Sequence, residues 1–536
     1  MDTKAELMPD ASITPASGLG VTDLLVIAVY IVTVIAIGVV SRRPHPSRDD
    51  EFLLAGRSMP FWAVAISILA TMQSAATFVG GPQESFDGTL SYLTVNIATI
   101  LAVIIICIGF LPAFYRAKVT SVYELLGARF GSDAQRCGSA MFLLGRLLAS
   151  GPRLFILAIP FSLFVFDSIQ PRAMTLSILL IAAVAVTYTL VGGIRAVIWT
   201  DVLQAVVYIS AVLAALAILY SRIPGDAESV IDTLRTADKL RLIEWNPAHA
   251  YSIWGVVTGW TLFMVAALGT DQDLTQRMLT CRSPREGIKS LILSTIISWP
   301  VVLIFLIIGS LLFVYYGQTA VAGETVPRFT GEDTRYVFIE FIRHEIPVGL
   351  RGLMLAGLFA ASMSSLDSAL NAMASVVVAD FYRPWRRSRG TRGPIARERE
   401  VGVARTTIVI FGALLATVAC ICVDAYDPAN DSLISFALGI MMYAYGGLAG
   451  VFIAAIFTNR GNNQTALAGM LAGLITVVIL RPTLWMPIIF RNTAPPFEPF
   501  AVALPWQMTI ASAVSFGICI SGRRPIGRRT RDRDVA

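Results

Sequence analysis

Thirteen stretches of this chain are apolar enough and long enough to cross about 30 Å of hydrocarbon, and that requirement constrains its fold more than any single motif does. They fall near residues 20–40, 61–80, 90–113, 138–165, 173–191, 196–220, 251–269, 288–315, 349–378, 403–423, 432–457, 464–481 and 503–520. Inside a bilayer no water satisfies the main chain, so such stretches become helices. The expected fold is therefore all-α, a polytopic membrane protein of about 13 transmembrane helices. Composition agrees: 55% of the 536 residues are hydrophobic and 15% charged.

An odd number of spans puts the termini on opposite sides. With the N-terminus outside, 28 of the 42 Lys and Arg residues fall in inner connections and 12 in outer ones, while Arg146 and Arg153 lie within the fourth span. Basic residues mark the cytoplasmic side, which predicts N-terminus out and C-terminus in, at the plasma (inner) membrane. The run RPWRRSRGTRGPIARERE at 383–400 reads as a plain cytoplasmic topology anchor, with contact to anionic membrane lipid heads as the alternative. The first 20 residues are polar and acidic with no small-residue cleavage pattern, so the first span is expected to stay as a helix.

The longest polar connections, 221–250 and 316–348, are too short for a soluble catalytic or signalling domain. The second contains YVFIEFIRHEI, whose apolar residues recur at helical spacing, and predicts a short amphipathic surface helix. Six scattered cysteines read as core thiols, and three isolated histidines argue against a metalloenzyme. The net charge of +6 sits in short loops, where it sets topology instead of serving a nucleic acid. No nucleophile-and-base pair, phosphate loop or dinucleotide fingerprint is present, so no catalytic residue is assigned. Neither a cofactor nor an obligate protein partner is expected.

Chemistry is expected where polar atoms interrupt these spans. In the ninth, Ala361, Ser364, Ser365 and Ser368 recur at i, i+3, i+4 and i+7, so one face presents three hydroxyls, with Asp367 at its edge. Small residues also line tight helix contacts, and packing is the alternative for the serines alone. A carboxylate at that depth marks an ion or substrate path. Neutral oxygens with little fixed charge suit a hard monovalent cation, and sodium is the sharper assignment. The second span carries Ala70-Thr71-Met72-Gln73-Ser74-Ala75-Ala76-Thr77 at bilayer depth before Gly80-Gly81-Pro82, the pattern of a broken helix whose freed carbonyls coordinate a cation. With Ser364 and Ser365, the carbonyls of Ala70 and Gln73 would complete a shell of about five oxygens, a sodium-sized site. Asp201 lies about one turn inside the sixth span, either serving a second cation or simply favoured by the helix dipole. Arg146 and Arg153 are seven apart and share a face of the fourth span, so each needs an anionic or carbonyl partner, either a solute carboxylate or an internal acid such as Asp201 or Glu84.

The stretches DEFLLAGRSMPFWAVAIS, RAKVTSVYELLGARFG, YTLVGGIRAVIWTDVLQ, DLTQRMLT and GLFAASMSSLDSALNAMASVVVADFY resemble, in this order and across nearly the whole chain, the signatures of the sodium/solute symporter family. The resemblance implies a core of two inverted five-helix repeats with a LeuT-like plan, at 61–220 and 251–457. Residues 1–60 would carry a tail, an extra helix and a linker, 221–250 an extracellular loop, and 458–536 two further helices and a cytoplasmic tail. The family's sodium site maps onto Ala70, Gln73, Ala361, Ser364 and Ser365, and a second cation site found in some members onto Asp201, Ser364, Asp367 and Ser368. Those members carry a serine at the position of Asp367.

By register, the solute pocket is expected to involve Met72, Gln73, Thr77, Asn96, Thr99, Met264, Ala267 and Leu438 or the nearby Tyr443. Sugar-carrying members have a tyrosine gate and an asparagine where this chain has Ala267 and Met264, which argues against a sugar. Sialic-acid-carrying relatives use an arginine from the helix that holds Arg146 and Arg153. The implied function is sodium-coupled symport of a small organic solute, such as a carboxylate, by alternating access. A proton-coupled transporter of the same fold, leaning on Asp201 and Asp367, and an uncoupled solute sensor or channel are the alternatives.

Overall fold

The computed structural model describes residues 19–41, 51–190, 193–321, 331–389, 395–426, 432–481 and 502–523. Expectations placed on the N-terminal 18 residues, the middle of the arginine run and the C-terminal tail lie outside the described residues. Among the described residues every regular element is a helix. The principal helices are α1 (Val21–Val40), α2 (Phe61–Met72) bent into α3 (Ala75–Asp87), α4 (Leu90–Ala117), α5 (Ser132–Phe166), α6 (Pro171–Thr189) and α7 (Ile194–Arg222). There follow α8 (Ile253–Gly269) bent into α9 (Gln272–Leu279), α10 (Pro284–Gly317), the short α11 (Val337–Glu345), α12 (Leu350–Val376), α13 (Arg399–Ala425), α14 (Leu433–Phe457), α15 (Asn463–Ile479) and α16 (Leu504–Ser521).

Nine of these helices are long and apolar enough to cross a membrane, and each bent pair adds one more span, giving up to 11 among the described residues. The expected spans at 173–191 and 464–481 coincide with shorter apolar helices. Placement in the bundle follows composition. α12 is lined on every side by alanine, glycine and serine, so neighbours approach closely, and it is buried nearly throughout against α1, α5, α7 and α13. α1 is rich in Leu, Ile and Val, and turns most of them outward. It is pinned at one end: the buried Asp23 carboxylate accepts from the Gly349 and Gly352 amides, both at 2.7 Å, and so caps α12 from a neighbouring helix. The amphipathic helix expected in 316–348 is α11, whose Phe338 packs on Phe78 of α3.

Two interruptions shape the interior. The chain bends by 60° between α2 and α3, where Gln73 and Ser74 adopt extended backbone. It bends by 55° between α8 and α9, at Thr270 and Asp271. The second bend corrects the expected seventh span: 272–279 is no exposed cytoplasmic loop but a buried half-helix. Its Asp273 and Arg277 depress hydropathy, yet they answer each other's charge and need no water.

Candidate functional site: two broken helices meeting α12

The hydroxyl face of α12 lies against the α2–α3 break. The Ser365 hydroxyl sits 3.2 Å from the Thr71 carbonyl oxygen, 3.4 Å from that of Ala361 and 3.5 Å from that of Gln73. One hydroxyl can donate only once, so three carbonyls around it form an oxygen-rich pocket with more acceptors than donors. Carbonyls collect here because α2 ends: the last turn of a helix leaves its carbonyls without amide partners. Ala70 is buried in that last turn. The structure thus brings together Gln73, Ala361 and Ser365 from the expected set and adds Thr71. Ser364 turns elsewhere, donating to Asp201 Oδ1 at 2.6 Å.

The expected second cluster is arranged differently from the expectation. Asp201 Oδ2 accepts from Ser67 at 2.5 Å and pairs with Arg277 Nη2 at 3.2 Å. Ser368 does not reach Asp201; its hydroxyl donates to Asp273 Oδ2 at 3.1 Å. Asp367 turns its Oδ1 to the Ser368 amide at 2.7 Å. Arg277 binds Asp273 Oδ1 at 2.5 Å and donates from Nε to Ser67 at 2.8 Å, so this guanidinium, counted among the cytoplasmic positive charges by sequence, is wholly buried in an ion network.

Arg146 belongs to the same network. It pairs with Asp273 and, at 3.2 Å, with Asp271, which in turn accepts from the Tyr445 hydroxyl at 2.5 Å. Its partners are therefore neither Asp201 nor Glu84, the latter accepting instead from Ser432 at 2.9 Å. Arg153, two turns along α5, has no carboxylate partner among the described residues; its one hydrogen-bond contact is Nη2 to Met441 Sδ at 3.4 Å. A buried guanidinium is costly without an anion in direct contact, which sets Arg153 apart from Arg146.

Arg153 faces a cavity of about 100 Å³ between the two broken helices and α4, α5 and α14. Met72, Gln73, Thr77, Asn96, Thr99, Met264, Ala267 and Leu438 line it, as does Arg146. Tyr443 does not: it stacks near Arg481 and accepts from its Nη1 at 3.3 Å. Tyr445 lines the cavity instead, together with Tyr92, Phe263 and Met441. Sequence reasoning missed Asp271, Asp273, Arg277 and Tyr445; the signal was the Asp273/Arg277 pair at i, i+4 inside a motif that reads as a loop.

The family model for the sodium:solute symporter family matches residues 52–473. The sodium/sialic acid symporter NanT of Aliivibrio fischeri is 29% identical over 506 residues, covering 90% of this chain and 95% of its own length. The human sodium-coupled monocarboxylate transporter 1 is 27% identical over 429 residues, 79% of this chain and 67% of its own. Among solved structures, a substrate-bound outward-open sodium-coupled sialic acid symporter superposes with a TM-score of 0.77 at 24% identity, covering 94% of this chain and 97% of that one. These relatives are transporters and not enzymes. Taken with two helices broken around a polar core, the match over most of its length places this chain in the sodium:solute symporter family, as an integral membrane transporter.

Proposed function

We propose that this protein is a sodium-coupled symporter that carries a small organic carboxylate into the cell by alternating access, with its N-terminus outside and C-terminus cytoplasmic at the plasma membrane. The observation that carries the reading is the unanswered Arg153 guanidinium at the wall of the central cavity. A planar guanidinium binds a carboxylate through two parallel hydrogen bonds, a geometry that a neutral sugar does not match. Apolar Met72, Met264, Ala267 and Leu438 would hold the solute's body, and Gln73, Asn96 and Thr99 its polar groups.

Sodium would be held by the Ser365 hydroxyl and the carbonyls of Ala70, Thr71, Gln73 and Ala361. It supplies a compact positive charge that joins α12 to α2 across the break. The neighbouring network is compatible with a cation: Arg146 and Arg277 are ion-paired with Asp201, Asp271 and Asp273, so their positive charges are already answered. The repeats at 61–220 and 251–457, each beginning with a broken helix, would rock about this centre. A sodium ion moving down ~100 mV contributes about 2.3 kcal/mol, before its concentration gradient, to drive the solute inward.

The test is a thermal-shift screen of purified protein against sialic acid, short monocarboxylates, amino acids and neutral sugars, each with sodium or choline. A carboxylate should stabilise the protein, and more so in sodium. Stabilisation by neutral sugars alone would overturn the solute class, and a hit indifferent to sodium would overturn the coupling.

A further inference from the structure

We infer that Asp273 is the positioning residue that links the solute cavity to the sodium region, an inference that rests on the symporter reading above. Its carboxylate touches three elements at once. Oδ2 meets Arg146 of α5 and the Ser368 hydroxyl of α12, while Oδ1 meets Arg277 of its own half-helix. From Arg146 the chain of contacts continues to Asp271 and Tyr445, and Arg146 and Tyr445 both line the cavity. From Arg277 it continues to Asp201, Ser67 and Ser364, one residue before Ser365. Asp273 therefore sits between the wall a solute would press and the helix a cation would tighten.

The arrangement is discrete. Each Asp273 oxygen is committed to an arginine, all members are buried, and the half-helix that carries Asp273 begins at the α8–α9 break. A half-helix hinged at its N-terminus can shift as a unit, and a carboxylate shared by two guanidiniums cannot follow both if they separate. Movement of α12 on ion binding is thus transmitted through Ser368 and Asp273 to Arg146. Packing alone would spread such a shift over many apolar contacts. Asp273 touches neither cavity nor proposed ion, so it acts through its arginines.

The test uses the full-length protein with Leu438→Cys as a reporter in the cavity wall, since no native cysteine lines it. The rate of modification by a small methanethiosulfonate reagent is followed as sodium replaces choline. In the reporter background, saturating sodium should change the rate by about fivefold, the lower end of usual coupling. Adding Asp273→Asn should abolish that change while sodium still raises the thermal midpoint. Should Asp273→Asn fail to fold, Ser368→Ala decides: loss of the link lowers the amplitude at saturating sodium, whereas loss of an ion ligand shifts only the sodium midpoint. A full sodium response in either folded variant overturns the assignment of Asp273. No sodium response in the reporter background itself overturns the symporter reading, and the link with it.

Discussion

Ser365 and Arg153 carry opposite tasks, and each yields a separable expectation. Ser365→Ala removes one hydroxyl from a cluster of carbonyls without opening a cavity larger than an oxygen atom. Folding and membrane abundance should stay near wild type, while the sodium concentration for half-maximal uptake rises by about tenfold, equivalent to ~1.4 kcal/mol of lost coordination. Uptake titrated against sodium checks this, and unchanged sodium dependence would remove Ser365 from the ion site. Arg153→Gln should raise the KM for a carboxylate solute by about tenfold to a hundredfold, the cost of a charged hydrogen bond, and leave sodium-induced stabilisation intact. Arg153→Lys should recover only part of the loss, because an ammonium cannot bind a carboxylate bidentately. At this scale the sequence was informative where side chains recur on one face. Ala361, Ser364, Ser365 and Ser368 share a helix stripe, yet Ser364 and Ser368 point their hydroxyls at Asp201 and Asp273, partners contributed by other elements that no periodicity reveals. Tyr443 and Tyr445 show the same limit: two residues apart on a helix means nearly opposite faces, and only the packing of α14 decides which one meets the cavity.

Among the elements, the α2–α3 break was legible and the α8–α9 break was not. The first is written as Gln-Ser between apolar flanks, polar atoms where hydrocarbon is expected. The second carries three charges in seven residues, Asp271, Asp273 and Arg277, and hydropathy treats each as though it faced water. The Asp273–Arg277 pair, together with Arg146 answering both aspartates, lets 272–279 sit inside as a half-helix. Two predictions belong here. Asp23→Ala should loosen α1 from α12 by removing the cap on Gly349 and Gly352, costing about 0.5–2 kcal/mol and exposing the α1 region to faster proteolysis. Equal protease resistance would make the cap idle. At the α14–α15 crossing, a side chain on Gly473 would fall 2.5 Å from the Gly447 Cα atom and 2.7 Å from its nitrogen. Gly473→Leu should therefore force the helices apart and lower the thermal midpoint, with a cost of about 1–3 kcal/mol. An unchanged midpoint would mean that the contact is loose.

At the scale of the whole molecule, the physical problem is how a bilayer-spanning bundle tolerates a cluster of buried charges. It closes those at its centre on one another: Arg146, Arg277, Asp201, Asp271 and Asp273 form one network across α5, α7 and α9, while Arg153 at the cavity wall has no carboxylate partner among the described residues. The all-α membrane class followed from apolar run length, because hydrocarbon leaves a helix as the only way to satisfy so long a main chain. The network was not legible, because its pairs are distant in sequence and their energetics depend on burial. The central claim is that a cation at the α2–α12 junction drives a carboxylate through the cavity beside Arg153. It is tested most directly by solute uptake into proteoliposomes under an imposed inward sodium gradient, compared with an imposed inward proton gradient at matched membrane potential. The account predicts accumulation above equilibrium with sodium and none with protons alone; accumulation driven by the proton gradient in the absence of sodium would contradict it.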